Sequence, residues 1–260
     1  VLHKGQRLRA QDLGLLASLG SARIEVWRRL KVAIISTGEE LVEPGSPLKP
    51  GQIYNSNRYL LQALLGGWGF EVVDFGIAAD DPKIISGILS EASREADVIM
   101  TTGGVSVGEE DHVKAVVEAL GHIDLWRVAI KPGKPLAFGT VRRGDGTEAL
   151  FIGLPGNPVS SMVTFLVAVM PVLRALTGRP PMGHRPVVMP SASDWPQPDK
   201  RREFLRVKWN ARGGLDLYPN QGSGVLASAA WADGLADNPP KQAIKRGDMV
   251  RFLPFSELLH

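Results

Sequence analysis

The sequence predicts an α/β chain, with a doubly wound, mostly parallel sheet followed by a small all-β domain. Three observations carry this. Apolar runs such as Val32-Ala33-Ile34-Ile35 and Val98-Ile99-Met100 are unbroken, as in strands buried on both faces. Between them lie stretches with helical spacing, for example Leu60, Leu61, Leu64, Leu65 and Trp68, so strands alternate with helices over short loops. Beyond about residue 180 the helical spacing fades, Pro becomes frequent, and short extended runs take over.

Taken in order, residues 1–29 hold a short amphipathic helix over 12–19, stopped by Gly20, and an extended piece at 24–26. This is too little for a core of its own, and it reads as the remnant of a linker domain. The α/β domain is expected over 30–179. Its first strand, at 32–35, ends in Ser36-Thr37-Gly38-Glu39-Glu40. Asn55, Ser56 and Asn57 supply N-cap residues for the next helix, which Gly66, Gly67 and Gly69 end. A second strand at 72–77 precedes Asp80-Asp81-Pro82, where Asp81 reads as N-cap and Pro82 as the first helical residue. Ile84, Ile85, Ile88, Leu89 and Ala92 form that helix's apolar face.

The third strand, 98–102, runs into Thr101-Thr102-Gly103-Gly104-Val105-Ser106-Val107-Gly108-Glu109-Glu110-Asp111. Its glycines let backbone approach a ligand, its hydroxyls donate, and the helix start at about 112 suits a phosphate. The closing carboxylates suit a site that also holds a metal or handles protons. Two more loops follow, Ile130-Lys131-Pro132-Gly133-Lys134-Pro135 and Leu154-Pro155-Gly156-Asn157-Pro158-Val159. In the first, a rigid turn presents Lys131 and Lys134 to an anion. In the second, Pro158 opens a helix whose buried face includes Met162, Leu166 and Leu173. Doubly wound sheets bind ligands beyond the C-terminal ends of their strands, which is where these loops lie. The β domain over 180–260 carries Arg201, Arg202 and Arg206 on one extended segment, and Ser223 in the turn Asn220-Gln221-Gly222-Ser223-Gly224.

Composition excludes several classes. Of the 260 residues, 44% are hydrophobic and 22% charged, as in a soluble globular protein. Lys and Arg number 30 against 27 Asp and Glu, a surplus of +3, which gives no basic stripe for nucleic acid. There is no Cys, so disulfides and thiolate metal sites are excluded, and a reducing, cytoplasmic setting fits. No apolar stretch reads as a membrane span. The start lacks Met and a signal-peptide layout, so the sequence reads as a piece of a longer chain. No Gly-x-Gly-x-x-Gly follows the first strand, which argues against a nicotinamide enzyme.

The motifs at 36–41, 101–111, 130–135 and 154–159, in that order, resemble the molybdopterin molybdenumtransferases, which include bacterial cofactor-synthesis proteins and the C-terminal region of gephyrin. The resemblance spans about 12–255. The sister adenylyltransferases share the α/β domain, but their glycine loop typically reads Gly-Gly-Thr-Gly where this chain has Gly-Gly-Val-Ser-Val-Gly. Glu39 stands where the family usually has Asp.

The resemblance implies a molybdopterin-binding α/β domain and a C-terminal β-barrel. It also implies that this chain lacks the family's N-terminal lobe, that the full-length protein is a homodimer, and that a molybdopterin adenylyltransferase acts upstream. The implied reaction uses Mg²⁺ to cleave the adenylyl group of adenylylated molybdopterin and inserts molybdenum from molybdate. The expected catalytic residues are Glu40, Asp81, Asp111, Lys131 and Lys134, with Glu40, Asp81 and Asp111 on the metal. Substrate would lie on Thr37, Gly38, Thr102, Gly103, Gly104, Ser106, Gly108, Pro155, Gly156, Asn157, Pro158, Arg202 and Ser223. An adenylyltransferase on the same domain, and a gephyrin-like scaffold holding a peptide, remain as alternatives.

Overall fold

The computed structural model describes residues 2–104, 112–133, 135–179 and 183–259. Ser106, Gly108, Asp111 and Lys134 lie outside the described residues. At the start of the first helix, α1 (Ala10–Ser18), the Asp12 carboxylate accepts from the Arg9 backbone N–H and from its guanidinium. The extended piece expected at 24–26 forms no strand, and Ile24, Val26 and Trp27 stay exposed.

The first sheet has six strands. In chain order these are β1 (Lys31–Thr37), β4 (Glu71–Ala78), β5 (Val98–Thr102), β6 (Gly121–Arg127), β8 (Pro135–Arg142) and β9 (Glu148–Leu154). They lie side by side as β4-β1-β5-β9-β8-β6. The four strands β4, β1, β5 and β9 are parallel, while β8 and β6 run antiparallel. The sequence pattern did not reveal β8, because Pro135 and two central small residues break its apolar run.

Helix α2 (Ser56–Gly67), capped by Asn55, and the run α5 (Pro158–Thr164), a π-helical turn (Phe165–Val169) and α6 (Met170–Leu176) cover one face. Val32, Ile34, Val98 and Met100 point toward them. Helices α3 (Pro82–Glu95) and α4 (His112–Leu120) cover the other, meeting Ala33, Ile35, Ile99 and Phe151. This alternation along strands buried on both faces explains their unbroken apolar sequence. Each fully buried Ile, Leu or Phe contributes roughly 1.5–3 kcal/mol.

The helical run Pro158–Leu176 is, contrary to the reading of the sequence, long and apolar enough to cross a membrane by length and composition. However, 61% of it is buried inside the molecule, and Phe165, Val169 and Leu173 are wholly within the core. A small pair, β2 (Leu41–Val42) and β3 (Ile53–Tyr54), follows β1.

The second sheet runs β10 (Val187–Pro190), β14 (Met249–Pro254), β13 (Gly234–Asn238), β11 (Arg202–Trp209) and β12 (Leu215–Leu217). A bridge from Ser191 to Leu215 joins its two edges, so the sheet curls closed. Leu205, Val207, Ala236 and Phe252 fill its inside. Phe204, Leu235 and Leu253 pack instead on the first sheet's core, together with Ala229 of α7 (Leu226–Trp231) and Leu258 of α8 (Phe255–Leu258). One strand crosses between the sheets. The short β7 (Ile130–Lys131) pairs in parallel with β11, Ile130 opposite Arg202 and Lys131 opposite Glu203. The sequence pattern places 130–131 with the α/β elements, yet its hydrogen bonds belong to the second sheet.

Candidate functional site

From β1 the chain goes outward to β4, then back across β1 to β5. The winding reverses between β1 and β5, and that is where an open α/β sheet leaves a crevice at its strand ends. The two loops that leave this point interlock. Gly103 and Gly104 have φ +84° and +63°, a region other residues enter at a cost. A Cβ on Gly103 would lie 2.6 Å from the Thr37 carbonyl, and one on Gly104 would lie 2.9 Å from Thr37 Oγ1. Backbone therefore approaches backbone where a side chain would block the crevice.

The resulting cleft, about 660 Å³, is lined from the first sheet by Thr37, Glu40, Thr102, Gly103 and Gly104, and by the Pro155–Pro158 loop. Asn57 of α2 also lines it and donates from Nδ2 to the Gly156 carbonyl at 2.7 Å, which pins that loop. Nothing in the sequence motifs pointed to this role for Asn57. The Thr102 hydroxyl is buried and has no partner among the described residues. The Glu40 carboxylate folds back over Gly38, with Oε2 2.6 Å from where a Cβ there would sit. Gly38 itself is not part of the lining.

The second sheet closes the cleft with Arg201, Gln221, Gly222 and Ser223. The Ser223 carbonyl accepts from Val159 N–H at 3.0 Å, so it caps α5, while Asn157 makes no side-chain cap. Behind the turn lies Arg206, only 1% exposed. Its Nε donates to Ser228 Oγ, Nη1 to the Phe204 carbonyl and Nη2 to the Gly222 carbonyl. Gln221 brackets its backbone on both sides. Burial pushes this guanidinium down to about 10, which still leaves it charged at neutral pH.

Where sequence reasoning chose Arg202, the structure turns Arg201 to the cleft. Neighbouring residues on a strand point to opposite faces. Arg202 is held in a two-pronged pair by Asp237, at 2.6 and 2.7 Å. Arg201 donates to the carbonyls of Ile130 and Gly133 and makes a two-pronged pair with Asp199, both contacts at 3.0 Å. That contact, with help from Lys131, holds the Asp199 carboxyl well below the usual range. Lys131 does line the cleft, but its ammonium is not free for a ligand. It stands 3.4 Å from Asp199 Oδ2 and 3.3 Å from Glu203 Oε1. Glu203 is fully buried and also accepts from Trp195 Nε1 and Asn238 Nδ2.

Asp81 is spent differently from what the motif suggested. Its Oδ1 accepts from the N–H groups of Lys83 and Ile84, at 2.8 and 3.1 Å. It caps α3 and does not line the cleft. Among the described residues no three acidic or histidine side chains stand together as a metal site, and Glu40 is the one carboxylate lining the cleft. Such a set fits Mg²⁺ held by a carboxylate and a substrate phosphate together, since that ion keeps few protein ligands. It does not fit an all-protein cage.

Two family models match successive parts of the chain. A family described as a probable molybdopterin binding domain matches residues 33–175. The MoeA C-terminal region (domain IV) matches residues 188–255. The molybdopterin molybdenumtransferase of Haemophilus influenzae is 38% identical over 265 residues, covering 100% of this chain and 64% of that protein. Its counterpart in Nostoc sp. is 40% identical over 246 residues, covering 92% and 56%. A crystal structure of a molybdopterin biosynthesis MoeA protein from Pyrococcus horikoshii superimposes with a TM-score of 0.81 at 32% identity, over 98% of this chain and 61% of that one. The chain thus spans less than two thirds of the length of the relatives it matches.

Proposed function

Because the chain belongs to the molybdopterin molybdenumtransferase family, we propose that it carries most of the substrate site of an enzyme that inserts molybdenum from molybdate into adenylylated molybdopterin. The observation that carries this reading is the cleft at the winding reversal, where a glycine-lined strand end meets the Ser223 turn of the second sheet. In the proposal, the N–H groups of Gly103 and Gly104 and the hydroxyls of Thr37 and Thr102 take the phosphate oxygens. A buried hydroxyl without a partner supports this use of Thr102. The loop from Pro155 to Pro158, pinned by Asn57, and the turn at Ser223 orient the remainder of the substrate.

Glu40 would hold Mg²⁺ against the phosphate, and Asp111, Ser106, Gly108 and Lys134 complete the proposed set. When bound, Mg²⁺ would supply charge neutralisation for the phosphoanhydride that is cleaved. Arg201 and Lys131 present their charge to molybdate or phosphate oxygens only in company with Asp199 and Glu203. Binding of an anion here therefore competes with two carboxylates, which favours a multiply charged ligand. The reading extends to a cytoplasmic homodimer for the whole protein, fed by an adenylyltransferase.

In the full-length protein, Glu40→Gln is expected to abolish Mg²⁺-dependent release of AMP from adenylylated molybdopterin while leaving its affinity within about threefold. Unchanged AMP release would overturn the role of Glu40. Failure of the wild-type protein to bind adenylylated molybdopterin would overturn the substrate.

A further inference from the structure

A second cavity, about 900 Å³, lies away from the cleft and shares none of its lining. Its wall carries Lys4, Arg7, Arg28, Arg29 and Arg179 against a single acid, Glu25. Arg28 is neutralised by Asp97, but Arg179 and its neighbours are not. The guanidinium carbons of Arg179 and Arg174 stand 5.6 and 5.7 Å from the ring centre of Trp68. Among the described residues neither has a carboxylate partner, and neither does Arg7. Burial, with Arg7 and Arg174 nearby, pushes the Arg179 pKa down. Trp68, 8% exposed, lines the same cavity, and its indole N–H has no acceptor among the described residues. Arg174 Nε is likewise buried and without a hydrogen-bond partner among the described residues.

Elsewhere in this chain Arg143 and the buried Arg206 donate to carbonyl groups, and three other arginines are matched by acids. Arg201 and Arg202 each grip a carboxylate, and Arg58 grips two. Arg174 and Arg179 stand at one unsatisfied indole without an acid, and the exposed Arg7 adds a like charge near Arg179, an arrangement that is costly unless an anion joins them. Stacking on Trp68 offsets part of that repulsion but satisfies none of the N–H donors. Planar guanidinium forks suit the oxygens of a phosphate, and an indole N–H can add one more donor.

We propose that this cavity is a second anion site, which takes a phosphate group through Arg7, Arg179 and the N–H of Trp68, with Arg174 behind them. The group is free phosphate or the phosphate of a larger molecule, and the cavity has room for either. The site is independent of the cleft, so its test stands apart from the proposed activity.

The test follows the indole N–H signals of the ¹⁵N-tryptophan-labelled 260-residue chain by NMR, with Trp68→Phe identifying the Trp68 signal. Inorganic phosphate is expected to move that signal saturably. Arg179→Gln should weaken the response at least about tenfold, and the cleft variant Arg201→Gln should leave it unchanged. Without anion, Arg179→Gln should raise the melting temperature, because it relieves repulsion; a merely structural arginine would lower it on removal. Tighter binding of adenosine monophosphate than of phosphate assigns the site to a larger molecule, and equal binding assigns it to free phosphate. A Trp68 signal that stays still at high phosphate, or moves equally in Arg179→Gln, overturns the proposal. So does a melting temperature that falls in Arg179→Gln, or a signal that answers only to an acidic peptide.

Discussion

On the sheet side of the cleft, Thr37, Thr102, Gly103 and Gly104 offer backbone and hydroxyl groups, with Glu40 as the lone charge among the described residues. On the other side, Lys131, Arg201, Asp199 and Glu203 form a closed set of two cations and two anions, with Arg206 buried behind the turn. The first side offers a ligand close approach to backbone. The second offers charges that are already matched to one another. Shape is thus fixed on the sheet side before anything binds, whereas on the other side a ligand must exchange partners.

This contrast breaks most visibly at Arg206. Arg206→Ala removes a fully buried side chain and leaves the Gly222 and Phe204 carbonyls and Ser228 without their donor. A loss of about 3–4 kcal/mol is expected in urea unfolding. A loss under about 1 kcal/mol would show that the turn holds itself.

Gly103→Ala tests the sheet side. The methyl must enter at φ +84°, 2.6 Å from the Thr37 carbonyl. The expected loss is about 2–3 kcal/mol, together with loss of phosphate-bearing ligands from the cleft. Stability and affinity both at the wild-type level would mean that the loops do not interlock as described.

Lys131→Ala comes next. It leaves the buried Glu203 carboxylate with only neutral donors, at an expected cost of about 2 kcal/mol, discounted because the ammonium is partly exposed. In the sequence, the rigid turn at 130–135 pointed this lysine at an anion and gave no sign of Glu203. Lys131→Ala combined with Glu203→Gln should recover much of the loss. No recovery would separate the two residues.

The smallest effect concerns Asp199. Its folded pKa lies below the unfolded value, so its contribution to stability is full above about pH 4 and fades as pH falls through the folded pKa. Asp199→Asn should flatten the acid limb of the stability curve and leave its neutral-pH shape unchanged. An identical acid limb in both proteins would remove Arg201 and Lys131 as the cause.

These sites differ in how far the sequence exposed them. β1 and β5 were legible because both faces are covered, which leaves unbroken apolar runs. β13 was not, since its buried residues include Asp237, paired with Arg202 and Arg251, and Asn238, whose Nδ2 donates to the Gln242 carbonyl and to Glu203. Its composition reads as a turn. The loops at the strand ends carried their own glycine and proline signatures. The choice between Arg201 and Arg202 depended on the register of β11 against β7, a pairing across about seventy residues that no local pattern encodes. Asp81 could have served either as a cap or in the cleft, and only the hydrogen bonds to Lys83 and Ile84 decide.

The pairing of β7 with β11 has a consequence for how the chain comes apart. Hydrogen bonds from Arg202 N–H to the Ala129 carbonyl and from Arg201 to Ile130 and Gly133 tie two layers that could otherwise have melted separately. A short strand that leaves the first layer and pairs in the second sheet couples their free energies, so partial opening of either layer exposes the edge of the other. Amide protons of β5 and β11 are therefore expected to exchange with deuterium in one concerted event, at a common protection level. The chain would then behave as one cooperative unit whose weakest exit runs through neither sheet alone.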